Sequence, residues 1–99
     1  MLNISKQIEN GKAVFSLDGR LDTVTAPELN NTLKSSLHGV KELTLNLEKL
    51  GYISSAGLRV LLEAQKDMSR QGSMKLINVS ETIMELLEVT GLSDILTIG

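Results

Sequence analysis

The chain has 99 residues, 41% hydrophobic and 22% charged, with a net charge of -2 and no cysteine. That is the composition of one folded domain spanning residues 1–99, not of a disordered segment. It excludes disulfides and thiolate metal centres, and it argues against nucleic-acid binding, because there is no basic stripe and Phe15 and Tyr52 are the only Phe, Tyr or Trp residues.

No apolar run approaches the roughly 20 residues of a membrane span. Met1 leads into alternating sequence without a basic and then apolar leader, so a cytoplasmic protein with no membrane partner is expected. A chain of this length removes roughly 60–65% of its unfolded surface from water, enough for one core.

Leu2 to Glu9 places Leu2, Ile4 and Ile8 on one strand face, interrupted by Lys6. Asn10-Gly11 then supplies the two positive φ values of a tight hairpin turn. Lys12 to Asp18 alternates again, with Ala13, Phe15 and Leu17 on one side, and Gly19-Arg20-Leu21-Asp22 ends the strand. Thr25-Ala26-Pro27-Glu28 fits a capping box. Leu29, Leu33 and Leu37 follow as a helical stripe, closed by His38-Gly39.

Lys41 to Glu48 has the cleanest strand pattern: Leu43, Leu45 and Leu47 point one way, and Glu42, Thr44, Asn46 and Glu48 the other. One face is therefore buried and one wetter, with helices on a single side. A second helix is expected from about Ser55 to Arg70, carrying Leu58, Leu61, Leu62, Gln65 and Met68 inward, with Gln71-Gly72 as its stop. Met74 to Val79 reads as a strand. Ser80 caps a third helix, Glu81 to Val89, with Ile83, Leu86 and Leu87 inward and Gly91 at its C′ position. Ile95 to Ile98 reads as a last short strand. The order β-β-α-β-α-β-α-β implies an α/β sandwich with a mixed sheet, since the hairpin is antiparallel and the strand–helix–strand units favour parallel pairing.

Catalytic chemistry finds little support. His38 is the only histidine and falls in a helix–strand loop. A triad of Ser55, His38 and Asp22 is formally possible, but Ser54-Ser55-Ala56-Gly57 is not the G-x-S-x-G elbow that exposes a nucleophilic serine. There is no phosphate-cradling glycine loop and no acid–histidine spacing for a catalytic zinc, so no cofactor and no metal are expected.

The segment Gly51 to Arg59 joins a strand to a helix, where α/β sheets often place their sites. Ser54 suits the N-cap, and Ser55 then occupies the first turn, where unpaired N–H groups tolerate an anion. Taken alone, local spacing favours reading the two serines as residues that merely start a helix.

This segment resembles the signature loop of STAS domains, the family of bacterial anti-sigma factor antagonists, whose usual pattern is Asp-Ser-Ser/Thr/Ala-Gly-Leu-Gly. Ser54 takes the Asp position, Ser55 the first Ser, and Ala56, Gly57 and Leu58 follow. Gly19-Arg20-Leu21-Asp22 is similar to the family's Gly-x-Leu-Asp, and Leu45 to Leu50 to its third strand and the turn after it. With Gly91-Leu92 near the end, the similarity covers nearly the whole chain.

The resemblance implies a STAS-like sandwich with helices mainly on one face. It implies that Ser55 is the phosphoacceptor for a partner anti-sigma factor, an ATP-using serine kinase, and that a PP2C-type phosphatase reverses the modification. In that scheme the unmodified protein binds the kinase and a sigma factor is released. Asp22, Ser54, Gly57 and Arg59 then belong to the partner-binding surface. Two positions depart from the pattern. Ser54 lacks the charge of the usual Asp and is a second hydroxyl beside the acceptor. Arg59 replaces the second Gly, four residues after Ser55, where it either pairs with phosphoserine or reads a different partner. The lost Asp keeps open an alternative, a constitutive STAS interaction module in a signalling or transport complex. Nucleotide or small-ligand binding is a third reading, without a motif to support it.

Overall fold

The computed structural model describes residues 1–99. The elements run β1 (Leu2–Glu9), β2 (Lys12–Leu21), α1 (Ala26–Ser36), β3 (Glu42–Ile53), α2 (Ser55–Gln71), β4 (Ser73–Ile77), α3 (Glu81–Val89) and a 3-10 turn, Leu92–Asp94. The strands lie side by side in chain order. β1 and β2 are antiparallel, while β2–β3 and β3–β4 are parallel. The hairpin forms where Asn10-Gly11 predicts it, with φ of 51° and 79°.

One sheet face carries the core. Ala13, Phe15, Leu17 and Leu21 from β2, Leu43, Leu45 and Leu47 from β3, and Met74 and Leu76 from β4 are all buried. They join Leu29 and Leu33 of α1, Leu58, Leu61 and Met68 of α2, and Ile83 and Leu87 of α3 in a single apolar cluster. All three helices therefore cover the same face. Ser16, Asp18, Thr44, Asn46 and Lys75 line the other, which is open to water. No helix is long and apolar enough to cross a membrane.

β3 is longer than its alternation predicts. Strict alternation stops after Leu47, yet the strand continues to Ile53. The register explains how. Ser16 pairs with Asn46 but Asp18 with Lys49, and Gly19 pairs with Leu50 but Arg20 with Tyr52. Each slip admits one extra residue into β3, as a β-bulge does. The two bulges return Leu50 and Ile53 to the buried face. At the first of them the Glu48 N–H donates to Asn46 Oδ1 at 3.1 Å.

Three expectations are corrected, and Ile8 keeps its predicted face. The Ile95 to Ile98 strand shrinks to one parallel bridge between Leu76 and Ile98, because the N–H groups of Ile95 and Leu96 donate back to the Leu92 carbonyl of the 3-10 turn. β4 ends at Ile77, because Asn78 turns to a φ of 56°. Leu86 is 37% exposed rather than inward; it lies on the flank of α3, whose core side is already filled by Ile83 and Leu87. Ile8 shares the core face but is 46% exposed, since it lies on the edge strand.

One-sided packing makes a contrast between two strand positions. Leu45→Ala, at a fully buried site, is expected to cost about 2–5 kcal/mol. Val14→Ala, on the open face, should cost under about 1 kcal/mol. Urea denaturation of both variants checks this, and equal losses would contradict a sheet covered on one side only.

Candidate functional site

The parallel strands β2 and β3 end together at Leu21 and Ile53. Two turns leave from this end, one into α1 and one into α2, and they hold the residues that the sequence singles out.

The turn into α2 is tied down first. The Ser54 N–H donates to the Leu21 carbonyl at 2.8 Å, and the Leu58 N–H to the Ser54 carbonyl at 2.9 Å. Ser54 has extended backbone, and its Oγ accepts from the Gly57 N–H at 3.3 Å. It is the N-cap, as its residue type predicts. Ser55 is the first residue of the helix and is exposed, as is Arg59 one turn on. Gly57 was expected on the partner surface and is instead buried. A Cβ there would lie 2.7 Å from Leu21 Cγ and 2.9 Å from Ile53 Cγ1. The missing side chain lets the first turn of α2 rest directly on the strand ends, which directs Ser55 outward.

The turn into α1 is built around Asp22. Its Oδ1 accepts from the N–H groups of Val24 and Thr25, both at 3.0 Å. The capping box expected at Thr25 does not form, because the Thr25 side chain makes no cap bond to its helix. The hydroxyl turns back instead. It accepts from the Asp22 N–H at 2.8 Å and lies 2.8 Å from the Arg20 carbonyl. Thr25 is the one buried polar residue of the chain, and these bonds satisfy it.

The N–H of Thr25 does most to hold the Asp22 carboxyl below its ordinary value of 3.8. Partial burial opposes this, and the Thr25 hydroxyl and Val24 N–H assist. Arg20 adds little. Its Nε is 3.9 Å from Asp22 Oδ2, and 58% of its side chain is exposed, a distance and exposure at which solvent screens the pair. The Arg20 guanidinium also sits 4.2 Å from the centre of the Tyr52 ring. Nothing in the alternation predicted this contact, because the second bulge sets the register that pairs Arg20 with Tyr52. Val24, 82% exposed beside Asp22, adds an apolar tip to the same end. Its sequence context, between two threonines, carries no signal for that.

His38 does not join this end. It lines a shallow groove with Lys34, Arg70 and Gln71, at the C-terminal end of α2. The 17 residues of α2 span about 25 Å, so Ser55, His38 and Asp22 do not meet. What Asp22, Ser54, Ser55 and Arg59 form is a surface at the ends of β2 and β3, where Asp22 and Ser54 are bonded to nearby backbone N–H groups and the side chains of Ser55 and Arg59 are exposed.

The lowered Asp22 value fixes a sign. A depressed carboxyl pKa stabilises the fold above the unfolded value and loses that effect as pH falls through the folded one. Asp22→Asn keeps an acceptor oxygen but no charge. It should be less stable than the parent at pH 7, and the gap should close below the ordinary 3.8. Urea unfolding at about pH 7 and about pH 3 measures it; a gap unchanged at low pH would show that the charge is not the stabilising feature.

With this geometry the chain can be set beside known proteins. The STAS domain family model matches residues 3–99. The anti-sigma-B factor antagonist of Bacillus subtilis (strain 168) is 36% identical over 95 residues, covering 95% of this chain and 86% of that protein. Among solved structures, an anti-sigma factor antagonist from Mycobacterium paratuberculosis has the same fold. It aligns with a TM-score of 0.89 at 19% identity, over 99% of this chain and 85% of that one. The phosphorylated form of the Bacillus cell fate determinant SpoIIAA aligns with a TM-score of 0.75 at 19% identity, over 100% of this chain and 91% of that one. The family match from residue 3 to residue 99, together with a relative above one-third identity along nearly the whole chain, means that this protein belongs to the STAS domain family.

Proposed function

We propose that this chain is an anti-sigma factor antagonist whose unmodified form binds a kinase-type anti-sigma factor in the cytoplasm and so releases a sigma factor. Phosphorylation of Ser55 switches it off, and a PP2C-type phosphatase resets it. The name of the Bacillus subtilis relative supports the antagonist role, and a protein of the same fold is known in a phosphorylated form.

The observation that carries the choice of acceptor is the different state of two adjacent hydroxyls. Ser54 is half-buried and its Oγ is engaged by Gly57 N–H. Ser55 is exposed at the head of α2. A kinase reaching this turn meets Ser55, and modifying Ser54 instead would break a cap worth about 1 kcal/mol.

Magnitudes favour a switch that acts at the interface. A phosphate adds about −1.5 to −2 charges. In the free protein, at a helix N-terminus, that is favourable by about 0.3–1 kcal/mol. Against a partner surface, added charge and unpaired oxygens cost several kcal/mol; about 4 kcal/mol corresponds to roughly a thousandfold in affinity. The interface effect is the larger, so binding is lost while the fold persists.

One observation favours a second reading, a constitutive binding module: the uncharged Ser54 stands where the family motif has an acid. Incubation with kinase-type anti-sigma factors and ATP, followed by mass spectrometry, separates the two. The phosphate is expected on Ser55, absent in Ser55→Ala and retained in Ser54→Ala, with affinity falling roughly a thousandfold on modification. Phosphate on Ser54 would overturn the assignment, and tight binding with no modification would favour the constitutive module.

A further inference from the structure

We propose that Arg59 is the intramolecular partner of a phosphate on Ser55, so that modification withdraws this guanidinium from the binding surface as well as adding an anion to it. The inference rests on Ser55 being the modified residue, and it adds how this chain holds the modified state.

Ser55 and Arg59 are the first and fifth residues of α2, and both are exposed. Residues four apart on a helix are neighbours, with Cβ atoms about 5–6 Å apart. Helical side chains lean toward the N-terminus. Arg59 therefore leans toward Ser55; Glu63, one turn further on, leans toward Arg59 by the same rule, but the two form no ion pair. The ion pairs of the chain agree: they join Lys12 to Glu42 and Arg20 to Asp22, and Arg59 is in neither. The other guanidinium at this end, that of Arg20, lies over the Tyr52 ring. The first turn of α2 holds no acid, so nothing there competes with a phosphate for Arg59.

A guanidinium offers two parallel N–H donors that match two phosphate oxygens, whereas a serine hydroxyl gives it no such pairing. Before modification Arg59 projects from the surface, free to meet an acidic group of a partner. After modification it folds onto the phosphate. The partner then meets an added anion and loses a cation in one event. The pairing also favours the doubly ionised phosphate, because an opposite charge at this range favours the charged form.

The test uses the full chain with phosphoserine inserted at position 55 during translation, titrated by phosphorus NMR at low salt. The second pKa of the phosphate is expected to be lower by about 0.5 or more than in the same protein carrying Arg59→Gln. Arg59→Lys should fall between them, since an ammonium keeps the charge without the paired donors. Equal values in all three proteins would overturn the proposal. Because no kinase is used, the two claims fail separately. A kinase that leaves Ser55 unmodified counts against the phosphoacceptor assignment alone, and a flat titration counts against the role of Arg59 alone.

Discussion

The site depends on one close approach, that of Gly57 to Leu21 and Ile53. The first turn of α2 crosses the ends of β2 and β3 at a distance that leaves no room for a Cβ. Side chains on both strand ends are buried beneath it. With that contact fixed, the rotation of α2 follows: Gly57, Leu58 and Leu61 face the core, so Ser55 and Arg59 face water. Ser54 is drawn inward at the same point, its N–H on the Leu21 carbonyl and its hydroxyl on the helix. The glycine is thus needed for packing.

The neighbouring turn has the same economy. Asp22 and Thr25 consume each other's polar groups and those of the backbone around them. Both turns therefore spend their carboxylate and capping oxygens on nearby backbone N–H groups. The exposed groups beside them include the Ser55 hydroxyl, the Arg59 guanidinium, the Thr23 hydroxyl and the apolar tip of Val24. A surface of this kind can change its charge without changing its shape. That is the physical content of a switch in which a covalent mark alters recognition while about 25 buried apolar side chains stay as they are.

Much of this was legible in the residues, and the failures share a cause. Asn10-Gly11, the alternation of Leu43, Leu45 and Leu47, and the caps at Ser54 and Ser80 are local signals, and each formed what it predicts. What local pattern missed depends on partners distant in sequence. The end of β3 hides its period behind two bulges that exist only against β2. Thr25 looks like a helix cap, yet its hydroxyl is claimed by Arg20 and Asp22 in the preceding turn. The final strand gives up Ile95 and Leu96, whose N–H groups bond back to Leu92, and keeps one bridge to Leu76. Ser55 was legible as a position through its family motif, but its exposure beside a half-buried Ser54 needed the packing of Gly57 to be seen.

The central claim is that the mark on Ser55 acts on a rigid surface. The direct measurement compares the amide NMR spectrum and urea unfolding of the chain with phosphoserine at 55 and of the unmodified chain. The account predicts shifts confined to the turns around Asp22 and Ser54 and the first turns of α2, with unfolding free energy changed by no more than about 1 kcal/mol. Shifts spread through the β2–β3 core, or a loss of several kcal/mol, would contradict it.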